Sequence, residues 1–423
     1  MWTILRSSRV DAPAIGESTT NGMTQVSQVR PESSAAFARV LDAYGISLEK
    51  YDVQPFGSGH INKTFLLSPR ANAAEQGFVL QRINTNVFRR PEVIARNLRM
   101  TGEYLARTAP EYFFLHVVPT LRGEDMFVVD GEYWRMLPHA ADTITVDQAE
   151  TPRQAYEAAR QFGRFARLTR GIGLQSFEPS IPDFHNLTLR QVQYEQALAG
   201  TSVERREQAA ELIAGFDSRH DIVVRFAHTV QVLPERLMHH DTKINNALLR
   251  ADTFEGVCIC DLDTLMAGRV ISDLGDMVRT YVCPVSEEEP DVRLVSVREE
   301  YYAALMDGYL SELRDVLTVE EKESLFYAGE FMVYMQGIRF LADYLNGDVY
   351  YPVKHAGHNL DRARNQWALL QRLTEKKNTL QRVIDSCLTA TRAPFAAARE
   401  SVASAPENGA ETTDSWMWRE SAE

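Results

Sequence analysis

The sequence predicts an α+β protein of two lobes, a small antiparallel β-rich lobe followed by a larger, mostly helical one. Three observations carry this expectation. Short β-type runs separated by glycine turns crowd residues 51–137, long helical patterns dominate after Pro138, and a chain of 423 residues can support about two cores.

Residues 1–33 are polar and aperiodic, which predicts a disordered leader with Met23 as an alternative start. The small lobe is expected over 34–138. Its strand-like runs fall at 65–67, 78–80, 114–118, 126–129 and 133–137, with Gly57, Gly59, Gly77, Gly123 and Gly131 supplying turns. One helix interrupts them, opened by Pro91 and Glu92 and running to about Arg107. The larger lobe is expected over 139–390, with helices near 153–168, 204–215, 292–313, 319–345 and 360–384. Strand-like runs at 247–249 and 257–260 form an embedded hairpin among them. From 391 to 423 the chain turns to Ala, Ser and Glu, which predicts a disordered acidic tail. A β-rich lobe followed by a helical one implies a cleft between the two.

Composition narrows the function classes. A formal net charge of -13 argues against partners rich in phosphate, such as nucleic acid or anionic lipid surfaces. A local cluster of donors can still bind a nucleotide. No run reaches the roughly 18–20 apolar residues of a membrane span, and the start at Met1 lacks the apolar core of a signal peptide. A cytoplasmic protein is expected. Cys258, Cys260, Cys283 and Cys387 follow no metal or disulfide spacing and are expected to be small buried thiols of a reducing compartment. Nothing in the sequence sets the oligomeric state.

The richest stretch for chemistry runs from His239 to Asn246. It places Lys243 two residues after Asp241 and Asn246 five after it, the spacing of a kinase catalytic loop. In that loop the Asp receives the acceptor hydroxyl's proton, the Asn holds magnesium, and a cation between them offsets phosphoryl charge. A solvated polar loop is the bland alternative. Fifteen residues past Asn246 comes Asp261, at the end of an apolar run, where kinases place a metal-binding carboxylate after a short hairpin. A strand-ending turn residue would explain Asp261 alone, but order and separation together favour the kinase pattern. The third piece is the loop with Gly57, Ser58, Gly59, His60 and Asn62, about 180 residues upstream of Asp241. Its glycines permit close backbone approach to phosphate, although a plain hairpin turn has the same composition.

At these residues the chain resembles the aminoglycoside phosphotransferase and choline kinase superfamily, and within it the N-acetylhexosamine 1-kinases. The matching stretches are GSGHINKTF (57–65), VLQRINTNVF (79–88), HHDTKINNALL (239–249), CDLDTLMAG (260–268), DLGDMVR (273–279) and IRFLADYLNGDVYY (338–351). They spread over most of residues 50–375. The resemblance implies a protein-kinase-like two-lobed fold and a phosphotransferase that uses ATP and Mg²⁺ on a small-molecule sugar. By position it implies Asp241 as catalytic base, Lys243 beside the γ-phosphate, and Asn246 and Asp261 as magnesium ligands. Gly57, Ser58, Gly59 and Asn62 would cover the nucleotide, and His60, Arg339 and Tyr350 would line the sugar pocket.

One departure stands out. Kinases commonly carry a Lys or Arg on the third strand of the small lobe, and here Gln81 occupies that position. Gln81 is expected to hydrogen-bond phosphate without supplying charge, with Arg82 on the opposite strand face. The charge partner of the nucleotide is therefore unassigned, and no helix partner such as Glu92 is given a role. Asp273 and Asp276 are expected to brace the segment after Asp261, and Glu287, Glu288 and Glu289 to be solvated surface. The rival expectations are a kinase of the same fold for homoserine, methylthioribose, choline or an aminoglycoside, and a pseudokinase or nucleotide-binding regulator.

Overall fold

The structure, a computed structural model, describes residues 35–57, 61–71 and 75–390. The leader and tail expected at the two ends lie outside those residues.

The chain begins with α1 (Ala35–Ala43), β1 (Tyr51–Pro55), β2 (Lys63–Pro69) and β3 (Phe78–Arg82), followed by α2 (Pro91–Thr108), β4 (Phe127–Val129) and β5 (Glu132–Pro138). The strands form one antiparallel sheet in the order β1-β2-β3-β5-β4. Alternation decides its two faces. Val53, Phe65, Leu67, Leu80, Trp134 and Met136 point one way and bury Phe37, Val40 and Leu41 of α1. Thr64, Gln81 and Arg135 point the other way, and the register sets them side by side, Thr64 opposite Gln81 and Gln81 opposite Arg135.

The helical part continues with β6 (Thr143–Ile144), α3 (Pro152–Leu168), α4 (Leu187–Gly200), α5 (Val203–Gln208), α6 (Ala210–Asp217), α7 (Asp221–Val232) and β7 (Arg236–Met238). The hairpin β8 (Ala247–Arg250) and β9 (Gly256–Ile259) follows, then β10 (Met266–Gly268), which pairs with β7. The chain then runs through α8 (Val270–Tyr281), α9 (Glu299–Leu313), α10 (Val319–Glu323), α11 (Leu325–Leu345), α12 (His358–Glu375) and α13 (Lys377–Thr389). Its core is one cluster, with α11 at the centre: all but one of the residues of α11 are buried. An antiparallel sheet with a large helical part is the two-lobed, protein-kinase-like α+β fold that the sequence predicts.

Several element expectations need correction. The apolar run 114–118 forms no strand; only Val118 bridges to Met136. Phe114, Leu115 and Val117 are apolar because they pack into the helical core as an extended connection. The helix expected over 319–345 breaks at Ser324, where a capping box of Thr318 and Glu321 builds a separate first turn. That turn directs the buried Glu321 onto Arg236, which donates from Nε at 2.7 Å and from Nη2 at 2.8 Å. The stretch 360–384 breaks at Lys376, and 292–313 holds a 3₁₀ turn at Val292–Leu294 before the α-helix that starts at Glu299. Glu287 and Glu288 are not solvated surface. Glu287 pairs with Arg279, and Glu288 pairs with Arg362, Lys354 and His358.

The crossing of α3 and α9 depends on two glycines. A Cβ on Gly308 would sit 2.2 Å from Tyr156 O, and one on Gly163 would sit 2.8 Å from Tyr309 O. Backbone cannot yield as a flexible side chain does. Gly308→Ala should therefore destabilise the protein by about 1–3 kcal/mol, read as a lower Tm in thermal unfolding.

Candidate active site

The loop from His239 to Asn246 follows β7 and enters β8 through a 3₁₀ turn at Ile244–Asn246. Asp273, in the first turn of α8, fastens it. One Asp273 oxygen accepts the His240 N–H at 2.8 Å and the other accepts the His239 N–H at 3.0 Å. Thr242 Oγ1 donates to the Asp273 carbonyl at 2.6 Å, and Tyr281 Oη donates to the Thr242 carbonyl at 3.0 Å. His239 accepts the Asp241 N–H on Nδ1 at 3.2 Å, so Nε2 carries the proton and donates to the Cys260 carbonyl at 2.8 Å. His240 lies in the left-handed region at φ 67 and packs against Gly268, where a Cβ would come 2.3 Å from its Nε2.

This scaffold brings Asp241, Lys243, Asn246 and Asp261 together. Lys243 Nζ lies 3.0 Å from Asp241 Oδ1. Asn246 Nδ2 donates to the Asp241 carbonyl at 2.8 Å and to Asp241 Oδ2 at 3.2 Å, which leaves the Asn246 side-chain carbonyl for another partner. Asn246 immediately precedes β8 and Asp261 follows β9, so the hairpin returns Asp261 beside Asn246; the Cys260 N–H donates to the Asn246 carbonyl at 2.9 Å.

The two aspartates sit in opposite electrostatic surroundings. Burial works to raise Asp241, but the charge and hydrogen bond of Lys243, with His239 and Arg279, hold it below the ordinary carboxylate value. Asp261 opens onto the cleft, yet dense protein around it and the neighbouring Asp263 and Asp241 carboxylates push it up to about 7, against the pull of Arg135 and Lys243. A carboxylate raised by like charges is a site short of positive charge. Beside them, Asp276 braces Arg279 through Oδ1 at 2.9 Å, while its buried Oδ2 has no hydrogen-bond partner among the described residues.

The donor set fits a hard divalent cation: a carboxylate lacking a counter-charge and an amide carbonyl set beside it. Among the described residues, no group of three His, Cys, Asp or Glu side chains could hold a metal unaided. An ion here would need further oxygens, such as those of a phosphate.

On the small-lobe side, Gly57 takes φ 78, the left-handed conformation that favours glycine, while Ser58, Gly59 and His60 lie outside the described residues. Asn62 does not stand free for a nucleotide: its Nδ2 donates to Asp263 Oδ2 at 2.8 Å and its Oδ1 accepts the Asn84 N–H at 3.0 Å. Gln81 is engaged as well. Its Oε1 accepts from Arg135 Nε at 2.9 Å and Nη2 at 2.7 Å, and its Nε2 donates to Thr64 Oγ1 at 3.2 Å. Arg135, only 1% exposed, forms an ion pair with the equally enclosed Asp263. Sequence reasoning missed Arg135 because strand order, which skips from β3 to β5, is not written in the local pattern. Arg82 points to the opposite face, as expected, and pairs with Glu132.

Arg339 and Tyr350 meet around Tyr351. The Arg339 guanidinium lies 5.6 Å from the Tyr351 ring centre and donates to Gln336 Oε1 at 3.0 Å, and the exposed Tyr350 ring meets Tyr351 edge-on at 4.8 Å. Asp343 folds this turn by accepting the N–H groups of Val349, Tyr350 and Tyr351. His185 packs against the loop that carries Asp241, its ring 5.4 Å from that of His240. Burial, then the neighbouring His240 and the charges of Arg339, Arg279 and Arg190, push His185 well below its ordinary value. A cavity of about 160 Å³ opens beside Lys243, lined by Asn245, Arg279, Glu287, Asn365 and Gln366 among others.

Residues 52–315, more than half of the chain, match the phosphotransferase enzyme family. The chain belongs to that family. Its fold is similar to that of a microcompartment-associated aminopropanol kinase, at 14% identity and TM-score 0.51 over 81% of this chain and 97% of that one. It is also similar to choline kinase from Cryptosporidium parvum, at 13% identity and TM-score 0.51 over 84% of this chain and 98% of that one. A third likeness is to aminoglycoside 2′-phosphotransferase-IIIa, solved as its GDP complex, at 11% identity and TM-score 0.50 over 78% and 97%. No helix among the described residues is long and apolar enough to cross a membrane.

Two buried groups of the loop give opposite pH dependences. Burial pushes His240 down to about 4, so the stability its neutral form confers is full above about 6.5 and drains as pH falls toward 4. Burial pushes Asp273 up to about 6, even with two amides and His239 pulling it down, so its contribution is full below about 4 and is lost as pH rises through 6. Asp273→Asn removes the second effect and also gives up one of the two amide contacts, a loss that does not vary with pH. Urea unfolding should show the variant losing up to about 3 kcal/mol more than wild type between pH 6.5 and 4, whereas parallel curves would contradict the assignment.

Proposed function

We propose that the protein is an ATP- and Mg²⁺-dependent small-molecule kinase that phosphorylates the anomeric hydroxyl of an N-acetylhexosamine or related hexose. The observation that carries the kinase reading is the joint placement of Asp241, Lys243, Asn246 and Asp261 around one point of the cleft.

Asp241 would hydrogen-bond the acceptor hydroxyl and take its proton as the new O–P bond forms and the bond to the departing ADP oxygen breaks. A carboxylate held ionised by Lys243 suits that task, because a loose phosphoryl-transfer transition state needs orientation more than strong basicity. Asn246 fixes the Asp241 side chain, and Lys243, half-exposed, can turn toward charge on the phosphoryl oxygens. Asn246 and Asp261 would hold Mg²⁺, which supplies charge neutralisation at the β- and γ-phosphates. Positioning and electrostatics are then the main sources of acceleration.

The acceptor side supports a neutral, hydroxyl-rich ligand. Arg190 and Arg339 lie close enough that the Arg339 charge, after burial, lowers Arg190. The faces of Tyr351 and Phe340 already carry Arg339 and Arg362, at 5.6 and 5.5 Å, and so are not a free cage for a quaternary amine. In the cavity beside Lys243, Asn245 Oδ1 and Gln366 Oε1 are buried acceptors without a hydrogen-bond partner among the described residues, and hydroxyl groups would satisfy them.

The test is ³¹P NMR of the protein with MgATP and a panel of free hexoses, N-acetylhexosamines and amino alcohols. An anomeric phosphate signal is expected with a sugar, and phosphate appearing only on an amino alcohol would overturn the acceptor assignment. Asp241→Asn should lower kcat by roughly 10²- to 10⁴-fold with little change in the KM for MgATP. A fully active variant would refute the role of Asp241.

A further inference from the structure

A buried cation needs a counter-charge, and the one Arg135 finds joins the two parts of the molecule. Arg135 belongs to the sheet, whereas its partner Asp263 lies two residues beyond Asp261. Gln81 aims the guanidinium from the neighbouring strand by accepting two of its N–H groups, and Thr64 holds Gln81 in turn. The other Asp263 oxygen accepts from Asn62, where the glycine loop re-enters the sheet. One carboxylate is thus gripped from β5 and from the loop at once.

Asp261 sits at φ 54 and ψ 57. Aspartate tolerates this left-handed conformation better than most side chains do, and the residues on either side of it are held. Upstream, the Cys260 N–H is bound to the Asn246 carbonyl. Downstream, Asp263 is held by its two partners, and Thr264 donates from Oγ1 to the His239 carbonyl at 2.6 Å.

We propose that Arg135 is a positioning residue for nucleotide and metal binding. Through Asp263 it sets the orientation of Asp261, and through the shared carboxylate it sets Asn62. It stands in for the strand cation of other kinases from one strand away, with Gln81 as its clamp. Being enclosed, it acts through these neighbours and touches no phosphate. The proposal rests on the kinase reading above.

The test uses the full chain and two measurements: calorimetric titration with MgADP, and steady-state KM for MgATP and for the acceptor. Arg135→Met alone strands Asp263 inside the protein, so the main variant is Arg135→Met with Asp263→Leu, since apolar residues of similar volume often replace a buried ion pair without loss of stability. MgADP affinity should fall about tenfold or more and the KM for MgATP should rise in step, while the acceptor KM changes less than about twofold. A merely structural role would shift Tm without this split. Asn62→Ala leaves the ion pair in place and should shift the same two nucleotide constants by about threefold; if the double variant does not fold, this variant decides. Nucleotide constants unchanged in a folded variant, or changed equally with the acceptor KM, would overturn the role of Arg135. Wild-type protein that binds no MgADP would overturn the kinase reading and this proposal together.

Discussion

Both carboxylate oxygens of Asp273 are spent on main-chain N–H groups, and the geometry of the site follows from that choice. By accepting from His239 and His240, Asp273 ties the start of α8 to the loop that carries Asp241. The fastening holds His240 in a left-handed conformation over Gly268, and Asp241 emerges on the far side with its side chain toward Lys243 and Asn246. A charged acceptor can serve two amides where a neutral amide side chain offers only one oxygen. The cost of burying that charge is visible in its raised protonation point.

Charge is distributed unevenly across the cleft. Arg279 and Arg135 are each matched to a carboxylate. Asp241 has Lys243, whereas Asp261 faces two like charges and, among the described residues, forms no ion pair of its own, Arg135 and Lys243 acting on it only from a distance. Environments that push two neighbouring carboxylates apart give them different chemistry, and here they favour an ionised Asp241 and a cation-seeking Asp261.

The two-lobed fold was legible because its signals are local: glycine-punctuated strands, a proline-opened helix among long helical patterns, and the spacing of Asp241, Asn246 and Asp261. The missed elements failed for identifiable reasons. In α8 the stripe Ile271, Leu274, Val278 and Tyr281 has the helical period, but Asp273 and Asp276 drew attention as bracing residues rather than as part of a helix. In α4 the stripe Leu187, Gln191 and Tyr194 behind the Asn186 cap was available but weak, since one of the three is polar. The run of glutamates from 287 misled because local charge does not reveal Arg279 and Arg362 arriving from other helices. Gln81 was placed correctly but its occupation was not, because Arg135 reaches it only through cross-strand register.

The β8–β9 hairpin has one more consequence. Asn246 and Asp261 stand at its open end, and the exposed turn around 251–255 closes the other. Antiparallel pairing makes the two ends neighbours whatever the length of the turn. A tag or fluorescent label grafted into that distal turn would therefore extend the hairpin outward and leave the spacing of the two oxygen donors untouched, which makes the turn a convenient handle for immobilising the protein.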